Sequence, residues 1–242
     1  METAASPKPV IPWLVLFSRS CLFLLFQVAI ALVLSFAGVL EAWNESARWW
    51  LFSVIPANVV GIGLLVLLLR AEGKRYLDLL HFSKQTLGKD LLWLLAISLI
   101  GAPIMAAPMN NLAVIIFGDA ITPIDMMFRP LPAWALAIGI LFPLTIGFAE
   151  LPTYFSYVMP RLAVQLKNGW AAWLITGFAL ALQHSFLPFL PDARFFLWRL
   201  GMFLPFALFA GLVLKLRPGL LSYFAILHAL LDLATWATYF ML

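Results

Sequence analysis

The sequence predicts an all-α protein built as a polytopic transmembrane helical bundle. Of its 242 residues, 64% are apolar and only 11% are charged, whereas a soluble domain carries about a quarter charged residues. The apolar residues also collect into runs close to or above the ~20 residues needed to cross a bilayer. In lipid, backbone N–H and C=O groups must be satisfied within the segment, so these runs are read as helices rather than strands. The chain is read as a single transmembrane domain, 1–242, with no soluble domain between the spans.

Seven spans are expected, near 20–40, 49–69, 91–117, 132–159, 170–187, 195–214 and 218–241. The first is too long for a secretory signal and lacks a small-residue cleavage site after a short core, so it is expected to stay in the membrane. Cys21 opens it. As the one cysteine of the chain, it excludes an internal disulfide and is read as a small packing residue. After the second span comes the one sizeable polar stretch, AEGKRYLDLLHFSKQTLGKD (71–90). Tyr76, Leu77, Leu79, Leu80 and Phe82 lie among its charges, which predicts an amphipathic helix on the inner membrane surface. His81 belongs to that stretch and is read as solvated or interfacial. The third span contains Pro103, Pro108, Asn110 and Asn111; it is expected to kink or break, giving eight helices if its halves are counted separately. The fifth span is the shortest.

Charge orients the bundle. Lys8, Arg19, Arg70, Lys74, Arg75, Lys84, Lys89, Arg161, Lys167, Lys215 and Arg217 are assigned to one side. Arg48, Arg129, Arg194 and Arg199 are assigned to the other, with Glu41, Glu45, Asp119, Asp125 and Asp192. The positive-inside rule then places the N-terminus in the cytoplasm and the C-terminus outside. The net charge of +4 resides in loops and does not point to nucleic acid. The lipid bilayer is the expected partner.

Against this apolar background Glu150, His184, His228 and Asp232 stand out. Ionisable groups at bilayer depth are costly unless they face a partner or a watery cavity, and they mark functional sites by default. Glu150 lies eleven residues before Arg161 and His228 eleven residues after Arg217, each about 16 Å from that surface at the helical rise. His184 lies about 21 Å in by the same rise. His228 and Asp232 are i and i+4, hence on one helical face. A Glu–His pair at such depth suits general-base catalysis on water. The bland alternative is that these groups join helices by hydrogen bonds.

At these residues the chain resembles the CPBP family, the CAAX-type proteases and bacteriocin-processing or immunity (Abi) proteins. ELPTYFSYVMPRL (150–162) resembles the first motif, EExxxR with a hydrophobic stretch ending in PRL. LALQH (180–184) resembles FxxxH, with Leu180 for Phe, and HALLD (228–232) resembles HxxxN/D. The resemblance covers about 132–242, the CPBP-like catalytic core; residues 1–131 correspond to N-terminal helices that vary in the family. It implies that Glu150 and His184 activate a water, and that His228 and Asp232 form the oxyanion and orientation pair. A charged Asp is a poor oxyanion donor, so Asp232 is read as orienting His228 or as protonated. The second Glu and the Arg of EExxxR are Leu151 and Phe155 here. Loss of both members of an ion pair together can be neutral, whereas loss of one strands a charge.

The leading expectation is an intramembrane endopeptidase that hydrolyses a membrane-associated peptide or protein by a Glu/His-activated water, in a bacterial inner membrane rather than the ER. The alternative is a catalytically inactive member that binds a membrane peptide or lipid in immunity or assembly. A proton-coupled transporter would use the same residue types, but no internal repeat is present. No cofactor is expected. Two histidines and two carboxylates could hold zinc, yet there is no HExxH, and the resemblance assigns the four groups roles that need no metal.

Overall fold

The computed structural model describes residues 9–241; Lys8, part of the expected charge bias, lies outside them. The described residues form helices α1 (Ile11–Phe36), α2 (Ala42–Arg48), α3 (Trp50–Ala71), α4 (Leu87–Phe117), α5 (Thr122–Met127), α6 (Ala133–Gly139), α7 (Leu141–Leu151), α8 (Met159–Gln165), α9 (Gly169–Gln183), α10 (Ala193–Leu216) and α11 (Leu221–Ala237), with no strand among them. Among the described residues six stretches are long and apolar enough to cross a membrane: α1, α3, α4, the composite Ala133–Gln165, α10 and Pro218–Phe240. The chain is an integral multi-pass membrane protein.

The surface is organised for lipid. Leu14, Phe17, Leu25, Leu32, Leu67, Leu95 and Leu99 point outward, while Arg19, Gln27, Asn58, Glu150, Gln183 and Arg199 are buried. This reverses the pattern of a soluble domain and follows from the cost of a polar group in hydrocarbon. Along α1 the buried residues Val15, Leu16, Arg19, Ser20, Phe23, Gln27 and Ala31 recur at the three- to four-residue helical spacing, so one stripe faces the bundle. Cys21 is exposed because it falls off that stripe, and the packing role expected for it is not found.

Three elements differ from the sequence reading. The fifth span forms α9, only 15 residues long, followed by a 3-10 turn at His184–Phe186. Its helix covers about 22 Å at the helical rise, and the turn and irregular segment that follow carry the chain on to residues 190–192, beside Asn44 and Arg129. Pro188 and Pro191 end the regular winding. Gln27 then secures the irregular backbone that follows: its Nε2 donates to the Phe189 carbonyl (2.9 Å) and its Oε1 accepts the Phe189 N–H (2.7 Å). The third span is one continuous 31-residue helix, α4, despite Pro103 and Pro108; proline is tolerated in membrane helices because local adjustments re-satisfy the freed carbonyls. The 71–90 segment is not a surface helix. It contains a 3-10 turn at Tyr76–Leu79, and from Leu87 it already belongs to α4.

That short turn has a packing role. Pro152 lacks the N–H that would return to the Phe148 carbonyl four residues back, and the Tyr76 hydroxyl donates to that carbonyl at 2.5 Å. Burial pushes the Tyr76 hydroxyl up to about 12, so it remains a donor at physiological pH. Beyond Pro152 the helix winds as a π-helix over Pro152–Val158, a local widening often found beside functional sites. At the same end Arg161 pairs with Glu72 and stacks on Tyr157, its Cζ 3.7 Å from the ring centroid. Burial alone would push the Glu72 carboxyl up, but Arg161 and Lys74 hold it below the usual carboxylate range.

Candidate functional site

Glu150 sits one residue before the C-terminus of α7, 3% exposed. α11 runs antiparallel to the successive helices α6 and α7, since the Trp236 indole N–H donates to the Leu136 carbonyl of α6 while Gly147 of α7 abuts Ala225. The approach at Gly147 is backbone on backbone: a Cβ there would stand 2.2 Å from the Ala225 oxygen and 3.0 Å from its carbonyl carbon. Side chains lean toward the N-terminus of their own helix. Glu150 therefore reaches back toward Gly147 and His228 back toward Ala225, and the two meet where the helices are closest.

Gly147→Ala is accordingly expected to push the helices apart and to destabilise by about 1–3 kcal/mol, the usual range for overpacking. A melting temperature equal to wild type for purified Gly147→Ala would show that the crossing is looser than described.

The structure brings the four singled-out residues together. Glu150 Oε2 lies 3.8 Å from His184 Nε2, and Glu150 Oε1 lies 3.7 Å from His228 Nε2. His228 Nε2 is also 2.9 Å from Asp232 Oδ2. The imidazoles and Asp232 are partly open, with side chains 12%, 19% and 17% exposed in the order His184, His228, Asp232. α11 packs along α7 and only touches α4.

The two histidines hold their protons differently. His184 Nδ1 lies 2.8 Å from the Leu180 carbonyl. A carbonyl only accepts, so Nδ1 carries the hydrogen, and in the neutral ring Nε2 then presents a lone pair toward Glu150. His184 Nε2 and the Glu150 carboxylate are then both acceptors. They cannot bond each other, but a water bound beside both could donate one hydrogen bond to each. His228 Nε2 faces two carboxylates, which requires it to be a donor. The His184 ring is held flat against Phe203, centroids 3.6 Å apart at 16°. Arg199 lies 5.0 Å from the centroid of that phenyl ring and donates to the carbonyls of His184 (3.1 Å) and Leu187 (2.8 Å), clamping the end of α9.

Sequence reasoning missed part of this environment. Arg19 and Arg199, assigned to opposite membrane surfaces, are both buried in the bundle. Arg19 Nε donates to Gln183 Oε1 (2.8 Å) and its Nη2 to Asn58 Oδ1 (3.0 Å); Asn58 Nδ2 donates to the Thr145 hydroxyl (2.9 Å). Gln183 Nε2 donates to Glu150 Oε2, and the Tyr154 hydroxyl donates to Gln183 Oε1 (3.2 Å). The available signal was polarity within apolar runs, at Asn58 and Gln183. Leu151 and Phe155 are each 4% exposed in the apolar core, and Phe155 packs against Gly211. Ser185, the serine nearest His184 in sequence, is buried and donates to the Phe196 carbonyl at 3.0 Å.

Among the described residues no three His, Cys, Asp or Glu side chains are grouped to hold a metal ion. No family model, characterised protein or solved structure matches this chain.

Proposed function

We propose that this protein is an intramembrane endopeptidase of the CPBP (CAAX protease) type, which hydrolyses a peptide bond of a membrane-associated substrate with a water activated by Glu150 and His184. The observation that carries the reading is the pairing of one acceptor imidazole and one donor imidazole on the two oxygens of a single buried carboxylate. Glu150 and the His184 lone pair accept hydrogen bonds from the attacking water, and Glu150 takes one of its protons as the water attacks, the other staying on the attacking oxygen. The His228 N–H faces the same space and can stabilise the oxyanion of the tetrahedral intermediate. Asp232, one turn further along the helix, orients His228. The proton taken from water then passes to the leaving amine. This chemistry needs neither a cofactor nor a nucleophilic side chain.

The test is incubation of purified protein in micelles with a panel of membrane-anchored peptides, followed by mass spectrometry of the products. A single hydrolytic cut, lost in Glu150→Gln and His184→Ala, is the expected result. Absence of cleavage across the panel, together with full complementation of the cellular role by both variants, would replace this reading with that of a membrane peptide- or lipid-binding immunity or assembly protein.

The same reading places the protein in a bacterial inner membrane, N-terminus in the cytoplasm and C-terminus outside. With Arg19 and Arg199 withdrawn from the tally, Arg70, Lys74, Arg75, Lys84, Lys89, Arg161, Lys167, Lys215 and Arg217 still outweigh Arg48, Arg129 and Arg194. The latter three are tied to their own surface: Arg48 and Arg129 pair with Glu45, and Arg194 with Asp192. The bias that sets orientation thus survives. A C-terminal reporter is expected to be active only in its extracytoplasmic form; activity of a cytoplasm-only reporter at that position would reverse the assignment.

A further inference from the structure

Arg19 is fully buried within the first helix, 0% exposed. A guanidinium removed from water is costly unless an opposite charge and hydrogen bonds answer it. Its hydrogen-bond partners, Gln183 and Asn58, are neutral amides, which satisfy Nε and Nη2 but leave Nη1 without a partner and the charge unanswered. The carboxylate within reach is Glu150, with Oε2 4.0 Å from Arg19 Nη2. Glu150 receives no cation from the next turn of its own helix, because position 155 is Phe. Arg199 on α10 is turned to the His184 and Leu187 carbonyls.

Gln183 lies between the two charges, and its orientation is determined. Arg19 Nε and the Tyr154 hydroxyl both donate to its Oε1, so its amide nitrogen must point the other way, where it donates to Glu150 Oε2. Asn58 is fixed in the same manner, its oxygen on Arg19 and its nitrogen on Thr145 of α7. The network therefore ties α1, α3, α7 and α9 together around one positive and one negative charge.

We propose that Arg19 is the counter-cation of Glu150 and, through the Gln183 amide, the group that aims Oε2: a positioning residue supplied by the first helix. The electrostatic half of this stands whether or not the chain cleaves peptides. The aiming half rests on the hydrolytic reading.

The experiment is a double-mutant cycle on the full-length protein in micelles, with Arg19→Met, Glu150→Gln and the double variant compared by yield and melting temperature. Arg19→Met alone leaves a buried carboxylate unanswered and should melt well below wild type. The double variant should melt above Arg19→Met, because the charge that made the loss costly is gone. A double variant that melts at or below Arg19→Met, or fails to fold when Arg19→Met also fails, overturns the pairing, since Arg19 would then hold the helices together independently of Glu150. So does an Arg19→Met protein as stable as wild type. Where the wild type cleaves a peptide, Arg19→Lys, which keeps the charge and loses the forked donors, should lower kcat about tenfold with KM nearly unchanged, as expected for misplacement of a reacting group. An unchanged kcat overturns the aiming role. If the wild type cleaves nothing, the stability cycle alone decides the pairing, and the aiming role falls with the hydrolytic reading.

Discussion

Glu150→Gln is expected to lower peptide hydrolysis by roughly two to four orders of magnitude, the usual contribution of a general base, and to lower the melting temperature as well, because the buried Arg19 loses its counter-charge. The substitution keeps the shape of the side chain and removes its negative charge. Because Gln183 Nε2 donates to Oε2, the amide oxygen keeps that place and the NH2 takes the place of Oε1, so an acceptor remains beside His184 but one too weakly basic to take a proton from water. The site geometry should persist in the folded fraction, because His184 is independently held by Leu180 and Phe203 and His228 by its own helix, so activity is compared per folded protein. His184→Ala should cost a similar factor, with some additional loss of stability because Phe203 loses its stacking partner. A residual rate above a tenth of wild type in Glu150→Gln would remove this carboxylate from the base role. Trapping of a covalent acyl-enzyme would do the same, since the mechanism contains no nucleophilic side chain.

Leu151→Glu is the second large effect. In the resembling first motif this position carries a glutamate, and the arginine four residues on is its natural partner. Here both are apolar and buried in one core cluster. A glutamate introduced alone, if ionised, would find Phe155 where a cation is needed. The expected loss is about 3–5 kcal/mol, as for an unpaired buried charge, read as a sharp fall in melting temperature and in the yield of folded protein. Wild-type melting for this variant would show that position 151 reaches water, contrary to its 4% exposure.

The sequence was most legible where one physical rule acted without competition. The apolar runs defined the membrane helices because the hydrocarbon core selects for length and polarity alone. Glu150, His184, His228 and Asp232 were visible because an ionisable group in such a run carries a cost that packing cannot explain. The rule failed at Arg19. It lies at the edge of an apolar run, where a basic residue is ordinarily a surface anchor, and only its position on the buried stripe of α1 reveals otherwise. The same rule misplaced Arg199, seven residues into α10. In the 71–90 segment, apolar residues that suggested a surface helix instead dock singly: Tyr76 on the Phe148 carbonyl and Phe82 on Tyr223, ring centroids 5.0 Å apart.

By itself, then, the sequence determined the solvent this protein is built for and the four ionisable side chains that its helices cannot carry idly, because both follow from transfer of single residues out of water. The tertiary structure decided the rest. Which oxygen of Glu150 faces which imidazole, which ring is donor and which acceptor, and that the cation beside this carboxylate comes from a helix 131 residues away all depend on neighbours distant in the chain. Hydrogen bonds and ion pairs act over a few ångströms of space, and only the packing of α1, α3, α7, α9 and α11 fixes those distances.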